Sequence, residues 1–328
     1  MKALLLAELS AVMMFGQLRA ALRRLVSGAA RPDWTWRVEL LAAGMRAIMM
    51  HSKRRGVHWL RDALEAAPVP KPFLARVRCE DVDAGGVRAR WFVPLAEPAP
   101  SHAIVYFHGG GFVIGSPNTH GELMARLAVA TGARVLGVDY RLAPEHRFPA
   151  AHDDAVAAVR WLYAQGVAPA QVAFGGDSAG GNLAAATLCA LRDAGDPLPA
   201  AALLFCPWVD PLASGGSMET NAQVDFGDRE LLSGWAQDYL LGAARDARAF
   251  PIDARLAGLP PLLIQVGGAE LLHDQVIAFA ERARAAGVDV TLEIEPAMFH
   301  DWQLQAALLP EGARSIESAA LFLGKRLA

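Results

Sequence analysis

Apolar residues recur every three or four positions through residues 4–26 and again through 36–50, and no strand-like alternation precedes residue 70. The spacing predicts two helices, parted at Arg31-Pro32-Asp33 and closed off by Pro68-Val69-Pro70-Lys71-Pro72. A period of two then takes over. Residues 75–82 and 87–93 read as an antiparallel hairpin about Gly85-Gly86, with Val87, Ala89, Trp91 and Val93 on one face. A loop at 94–100 follows. From His102 short apolar runs alternate with helical stretches. Strands are expected at 102–107, 134–138, 171–174, 201–205, 261–266 and 288–294. Helices are expected at 121–130, 153–165, 184–191, 273–286 and 311–327. This rhythm predicts a mostly parallel sheet covered by helices on both faces, with the hairpin at one edge. Residues 208–259 break the rhythm. They carry Trp208, Phe226, Trp235, Tyr239 and Phe250 and read as an insertion of one or two helices. The expected organisation is a helical cap segment at 1–70 and an α/β domain at 71–328 with a cap insertion at about 208–259.

Composition narrows the class. A chain of 328 residues supports one large α/β domain, and a net charge of −3 gives no electrostatic case for nucleic acid or an anionic membrane. Cys79, Cys189 and Cys206 form no C-x-x-C pair, so neither a metal knuckle nor a disulfide framework is expected, and a reducing, cytoplasmic compartment fits. At the N-terminus Glu8 interrupts the apolar run that could begin a signal peptide. The uncharged stretch 9–18 is too short to span a bilayer, so stable membrane insertion is not expected.

The chemistry centres on Gly176-Asp177-Ser178-Ala179-Gly180, where an apolar strand turns abruptly into a helix. G-x-S-x-G in that setting is a nucleophile elbow. A serine hydroxyl needs a general base and a group that orients the base. Two histidines follow Ser178. His273 opens a predicted helix and looks like a surface or cap residue, whereas His300 sits just after the last predicted strand, so His300 is the expected base. The acid should follow the preceding strand. Glu270 and Asp274 both lie there; Glu270 is nearer the strand end, and Asp274 falls in the first helical turn, where a carboxylate also suits the helix dipole. His108-Gly109-Gly110-Gly111-Phe112 matches the H-G-G-G type of oxyanion loop. The backbone N–H groups of Gly110, Gly111 and Ala179 are the expected donors, each worth about 3–4 kcal/mol to a tetrahedral intermediate. No P-loop lysine or G-x-G-x-x-G spacing competes for this loop, and no metal or cofactor is expected.

Together, His108–Phe112, the run Asp139-Tyr-Arg-Leu-Ala-Pro-Glu-His-Arg-Phe-Pro149 and Gly176–Asn182 resemble the bacterial hormone-sensitive-lipase family of α/β-hydrolase esterases, from about residue 75 to the C-terminus. The resemblance implies an eight-stranded sheet and a lid built from N-terminal helices plus a later insertion. It also implies a cofactor-free serine carboxylesterase acting on short- to medium-chain esters, and a homodimer, common among relatives, stays open. By position it makes Ser178 the nucleophile and His300 the base. The family's acid lies 30 residues before the histidine, at Glu270. Many members have Asp-Pro-Leu there, where this chain has Glu270-Leu271-Leu272, so Asp274 stays in view. Trp302 stands where phenylalanine is frequent, which is expected to change the pocket wall. In the resemblance, 139–149 is structural, with Arg141, Glu145, Asp153 and Asp154 as buried ion-pair partners. Rival readings are a deacetylase or amidase on the same machinery, and a silent ligand-binding relative. Those relatives lack the histidine that His300 supplies.

Overall fold

The computed structural model describes residues 2–67, 72–96, 100–212 and 215–327. Residues 68–71 of the proline-rich run and 97–99 of the following loop lie outside them. Three helices open the chain: α1 (Lys2–Ser27), α2 (Trp36–Arg55) and α3 (Val57–Ala66). Thr35 caps α2 by accepting the Val38 N–H, and Gly56, at φ +85°, ends α2 and lets α3 start in a new direction. The sequence pattern does not separate this third helix, because a single glycine is a weak stop signal.

The remaining elements are β1 (Val77–Asp83), β2 (Arg88–Pro94), β3 (Ala103–Phe107), α4 (Gly121–Thr131), β4 (Arg134–Val138), α5 (Ala150–Ala164), β5 (Val172–Asp177), α6 (Ala179–Ala194) and β6 (Ala201–Phe205). Then come α7 (Ser217–Thr220), α8 (Arg229–Leu240), β7 (Leu262–Gly267), α9 (His273–Ala285), β8 (Val290–Glu295) and α10 (Pro310–Gly324). The strands form one eight-stranded sheet in the order β1-β2-β4-β3-β5-β6-β7-β8. β2 runs antiparallel to both β1 and β4; the other neighbours are parallel.

The period of two explains the layers. Val105 and Phe107, Leu204, and Ile264 and Val266 face α5, α6 and α9, while Ile104 and Tyr106, Leu203 and Phe205, and Leu263 face α4 and α10. Both sets are buried, so the central strands are apolar throughout rather than alternating with polar residues. β3, β5, β6, β7 and β8 all end at one edge of this sheet, and the first helices cover that edge. Trp34, Val38 and Ala42 pack with Met298, Phe299 and Trp302 of the loop after β8. The insertion supplies α7 and α8, and Arg46 of α2 donates to the Asp225 carbonyl between them at 3.0 Å.

Helix α1 lies on α2. Gly16 makes the crossing close: a Cβ there would stand 2.5 Å from Ala47 Cβ and 2.7 Å from the Ala43 carbonyl oxygen. Glu8 does not break the helix. Its carboxylate sits 2.9 Å from His51 Nε2 and accepts from Trp59 Nε1 at 3.1 Å, and Glu39 pairs with Arg23 and Arg24. Taken whole, α1 is long and apolar enough to cross a membrane by length and composition, a property the stretch 9–18 understated because Glu8 and Arg19 are helical too. Leu4, Phe15, Leu18, Leu22 and Leu25 are exposed along it.

A side chain at position 16 should therefore pry α1 from α2. Gly16→Leu is expected to cost about 1–3 kcal/mol by overpacking at the crossing. Limited proteolysis should cut the 28–35 connection sooner than in the parent chain, while the main melting transition of the sheet stays in place. Equal protection of that connection would show that the close crossing does not hold α1 down.

Candidate active site

Ser178 has φ 51° and ψ −118°, a conformation that an L-residue adopts only when its surroundings impose it. The imposition is visible. Its N–H donates to Phe205 O at 2.8 Å, and its carbonyl accepts from Trp208 N at 2.9 Å, so the end of β6 grips the turn on both sides. The flanking glycines are there for space. A Cβ on Gly176 would lie 2.3 Å from Gly180 O, and one on Gly180 would lie 1.9 Å from Phe107 O at the end of β3. The elbow is thus wedged between β3 and β6, and α6 starts at Ala179 with its first N–H groups lacking intrahelical acceptors.

Asp177, inside the same motif, joins the elbow to the glycine loop. Its carboxylate accepts the Gly109 N–H at 3.0 Å and the Tyr106 hydroxyl at 2.7 Å, and lies 3.2 Å from His120 Nε2. Burial opposes charge on both Asp177 and His120, but their mutual attraction and hydrogen bond outweigh it: Asp177 is held below the usual carboxylate range and His120 is raised. Next to them, burial and then the proximity of His120 push His108 down to about 3, which keeps that ring neutral against Tyr140. The Tyr140 hydroxyl donates to His108 O at 2.6 Å, and Ala143 N donates to Phe112 O at 2.9 Å, so the 139–149 run braces the glycine loop. Gly110 and Gly111 have φ of +113° and +61°, and Gly110 O accepts from both Val113 N and Ile114 N. The ion-pair expectation for this run needs correction. Only Asp154 is buried, bound by Arg141; Glu145 is solvent-exposed and pairs with Arg61, and Asp153 is exposed as well. A surface pair leaves both charges hydrated, which a buried one could not.

His300 and Glu270 come together from the loops after β8 and β7. His300 Nδ1 is 2.7 Å from Glu270 Oε2, and Glu270 Oε1 accepts the Gly267 N–H at 2.9 Å. Both side chains are buried. Asp274 is engaged elsewhere: it accepts from Ser217 N at 2.9 Å and lies beside His273, the first residue of α9. On its other side His300 Nε2 is 3.1 Å from Asp301 Oδ2. This is a charge contact and not an aligned bond, since among the described residues Nε2 has no hydrogen-bond partner. Burial alone would lower the imidazole pKa, yet the Asp301 carboxylate, with help from Cys206 and Glu270, raises it well above its usual value. Burial lifts Asp301 itself to about 6.

Three residues of the site are given no part in the chemistry by the sequence pattern, although Phe226 stands among the aromatics of the expected cap insertion. Asp225 and Phe226 lie in the aperiodic insertion; the Asp225 carboxylate accepts the His300 N–H at 2.9 Å, and the Phe226 ring lies 4.7 Å from that of His300. Cys206, at φ 45°, follows β6. Its thiol lies within 4.8 Å of ligand atoms of Glu270 and His300. That trio is a poor metal centre, because burial raises the thiol pKa well above its ordinary value and Glu270 already holds His300 Nδ1. Trp302 is also not where it was expected. It is buried with its Nε1 donating to Ser315 Oγ of α10 at 2.9 Å, and it does not line the cavity.

Ser178, His300, Asp301 and Gly110 open into one cavity of about 210 Å³. Met45, Ile48 and Met49 of α2, Leu64 of α3, and Phe226 and Trp235 of the insertion give it apolar wall, and Glu65, Asn118, His120 and Gln305 are among its polar lining. A nucleophile position, a histidine held at one nitrogen and open at the other, and a glycine loop with left-handed backbone are the parts that acyl transfer requires.

A family model described as alpha/beta hydrolase fold matches residues 104–304. Among curated proteins the chain is similar to the acetyl-hydrolase of Streptomyces hygroscopicus, 46% identical over 74% of this chain and 81% of that one. It is also similar to the carboxylesterase NlhH of Mycobacterium tuberculosis, 34% identical over 79% and 86% of the two chains. Among solved structures it superposes on an esterase from the bacterial hormone-sensitive lipase family with a TM-score of 0.78 at 40% identity, covering 98% of this chain and 99% of that one. With its sheet order, elbow and buried Glu–His pair already in place, the chain belongs to the α/β-hydrolase fold family, among the bacterial hormone-sensitive-lipase esterases.

Proposed function

We propose that this serine ester hydrolase uses Ser178 as its nucleophile, His300 as its general base and Glu270 as the acid that orients His300. The observation that carries the assignment is the 2.7 Å contact between His300 Nδ1 and Glu270 Oε2 on the wall of the cavity that Ser178 lines. Ser178 Oγ bonds to the ester carbonyl carbon while His300 Nε2 takes its proton. The carbonyl π electrons move to oxygen, where the N–H groups of Gly110, Gly111 and Ala179 meet the charge. Collapse of the tetrahedral intermediate expels the alcohol, which leaves with the proton from His300. A water activated by the same nitrogen then attacks the acyl-enzyme, releases the acid and restores Ser178. Glu270 keeps the imidazole in the tautomer with Nδ1 protonated and stabilises the imidazolium. No cofactor enters the cycle.

The apolar cavity supports short- to medium-chain acyl groups. The similarity to an acetyl-hydrolase favours a second reading, in which the acyl group removed is acetyl, from an ester or an amide. We also read α1–α3 with residues 208–259 as a helical cap over the 71–328 domain, since both supply walls of the cavity. The free thiols of Cys79, Cys189 and Cys206 suit a cytoplasmic setting.

Rates on p-nitrophenyl esters from acetate to palmitate should peak at short chains, and Ser178→Ala should lower kcat by roughly 10⁴-fold or more with the melting point nearly unchanged. Hydrolysis that survives in Ser178→Ala would falsify the nucleophile. Glu270→Gln should cost on the order of 10³–10⁴ in kcat by releasing the tautomer, whereas Asp274→Asn should stay within about twofold. The reverse pattern would move the acid to Asp274.

The charge around His300 sets a pH dependence. The ring works as a base only when neutral, and its raised pKa means that the proton leaves only above the usual histidine range. kcat/KM should therefore still be climbing at neutral pH. Asp301→Asn removes the carboxylate nearest Nε2, so its acid limb should move to lower pH. An unmoved limb would show that Asp301 does not govern the proton on His300.

A further inference from the structure

The loops that bring Glu270 and His300 together are not tied to each other only through the sheet. Asp225, between α7 and α8, is wholly buried. Its Oδ1 accepts the His300 backbone N–H at 2.9 Å, and its Oδ2 accepts the N–H of Leu271, the residue after Glu270, at 2.6 Å. One carboxylate thus spans the two loops at the point where the acid meets the base. The same segment adds further ties. Asn221 Nδ2 donates to Glu270 O at 2.9 Å, and Ser217 Oγ donates to Leu271 O at 2.7 Å.

A buried carboxylate is a costly way to join two loops, and this one stands beside another carboxylate, Glu270. Its charged and titratable neighbours are His300, Glu270 and, from α2, Arg46. Burial pushes it up to about 6 against the pull of His300. A role in packing alone would be filled better by an apolar residue. What only a carboxylate offers here is two acceptors at a fixed spacing. An asparagine would accept one N–H and turn its own NH₂ toward the other.

We infer that Asp225 is a positioning residue: by bridging the His300 and Leu271 amides, it holds the imidazole and the Glu270 carboxylate in register, which makes the inserted segment part of the catalytic frame as well as a wall of the cavity. The inference rests on the assignment of His300 and Glu270 as base and acid. A base displaced by an ångström loses on the order of 10²-fold in rate, so the bridge acts on kcat. Asp225 also places a third anion, after Glu270 and Asp301, near the imidazolium that forms when Ser178 gives up its proton.

The test compares Asp225→Asn and Asp225→Glu with the parent chain and with Ser178→Ala, on p-nitrophenyl acetate and butyrate, with pH profiles and thermal melts. Asp225→Asn should lower kcat by about 10- to 100-fold with KM within about threefold, and its acid limb in kcat/KM should shift to lower pH because an anion beside His300 is gone. Asp225→Glu keeps the charge but moves the acceptors. It should lose kcat with the acid limb unshifted. A folded Asp225→Asn with full kcat and an unmoved limb overturns the inference. So does failure of both variants to fold, since the residue would then serve folding. Activity surviving in Ser178→Ala would instead undo the catalytic assignment, independently of Asp225.

Discussion

Everything at the site depends on one crowded turn. Ser178 occupies a backbone conformation that costs on the order of 1–3 kcal/mol, and it is kept there by contacts with no slack: the Gly180 backbone against Phe107 O on one side, the hydrogen bonds to Phe205 and Trp208 on the other. Those neighbours are the ends of β3 and β6, the strands flanking β5. The sheet order is therefore a condition of the turn. The strain aims the serine out of the sheet and sets the start of α6 behind it, which presents N–H groups to the place where negative charge would gather.

Around the turn, buried charge is handled in pairs. Asp177 with His120 and Glu270 with His300 are both carboxylate–imidazole contacts at the carboxyl ends of strands, but they have different consequences. Asp177 spends its oxygens on Tyr106, the Gly109 amide and His120, and so locks the elbow to the glycine loop. His300 has only one nitrogen committed. Its Nε2 faces the cavity beside Asp301 without a hydrogen bond, which leaves it able to exchange a proton. The first pair is fully engaged, whereas the second leaves one imidazole nitrogen without a hydrogen bond at the cavity.

The helices before and within the α/β domain share in this architecture. α2 supplies apolar wall at Met45, Ile48 and Met49, and Arg46 on the same helix holds the Asp225 and Gly227 carbonyls. The insertion that carries Asp225 and Phe226 thereby reaches from the first helices to the histidine.

The alternation of strands and helices after residue 100, the elbow at Ser178, the glycine loop and His300 were legible in the sequence because each is local: a period of two or near 3.6, a motif of five residues, or a loop at a fixed offset from a strand end; Glu270 was favoured there but not separated from Asp274. Tertiary structure decided what depends on contacts between distant segments. It separated Glu270 from Asp274 by giving the first to His300 and the second to Ser217. It turned Trp302 beneath α10, left Glu145 at the surface with Arg61, and set Asp301 beside Nε2. Above all it brought Asp225, 75 residues before His300, to that histidine's backbone. Nothing in a run such as Val224-Asp225-Phe226-Gly227 signals such a partner, because a buried carboxylate acquires its meaning only from the amides that the folded chain brings to it.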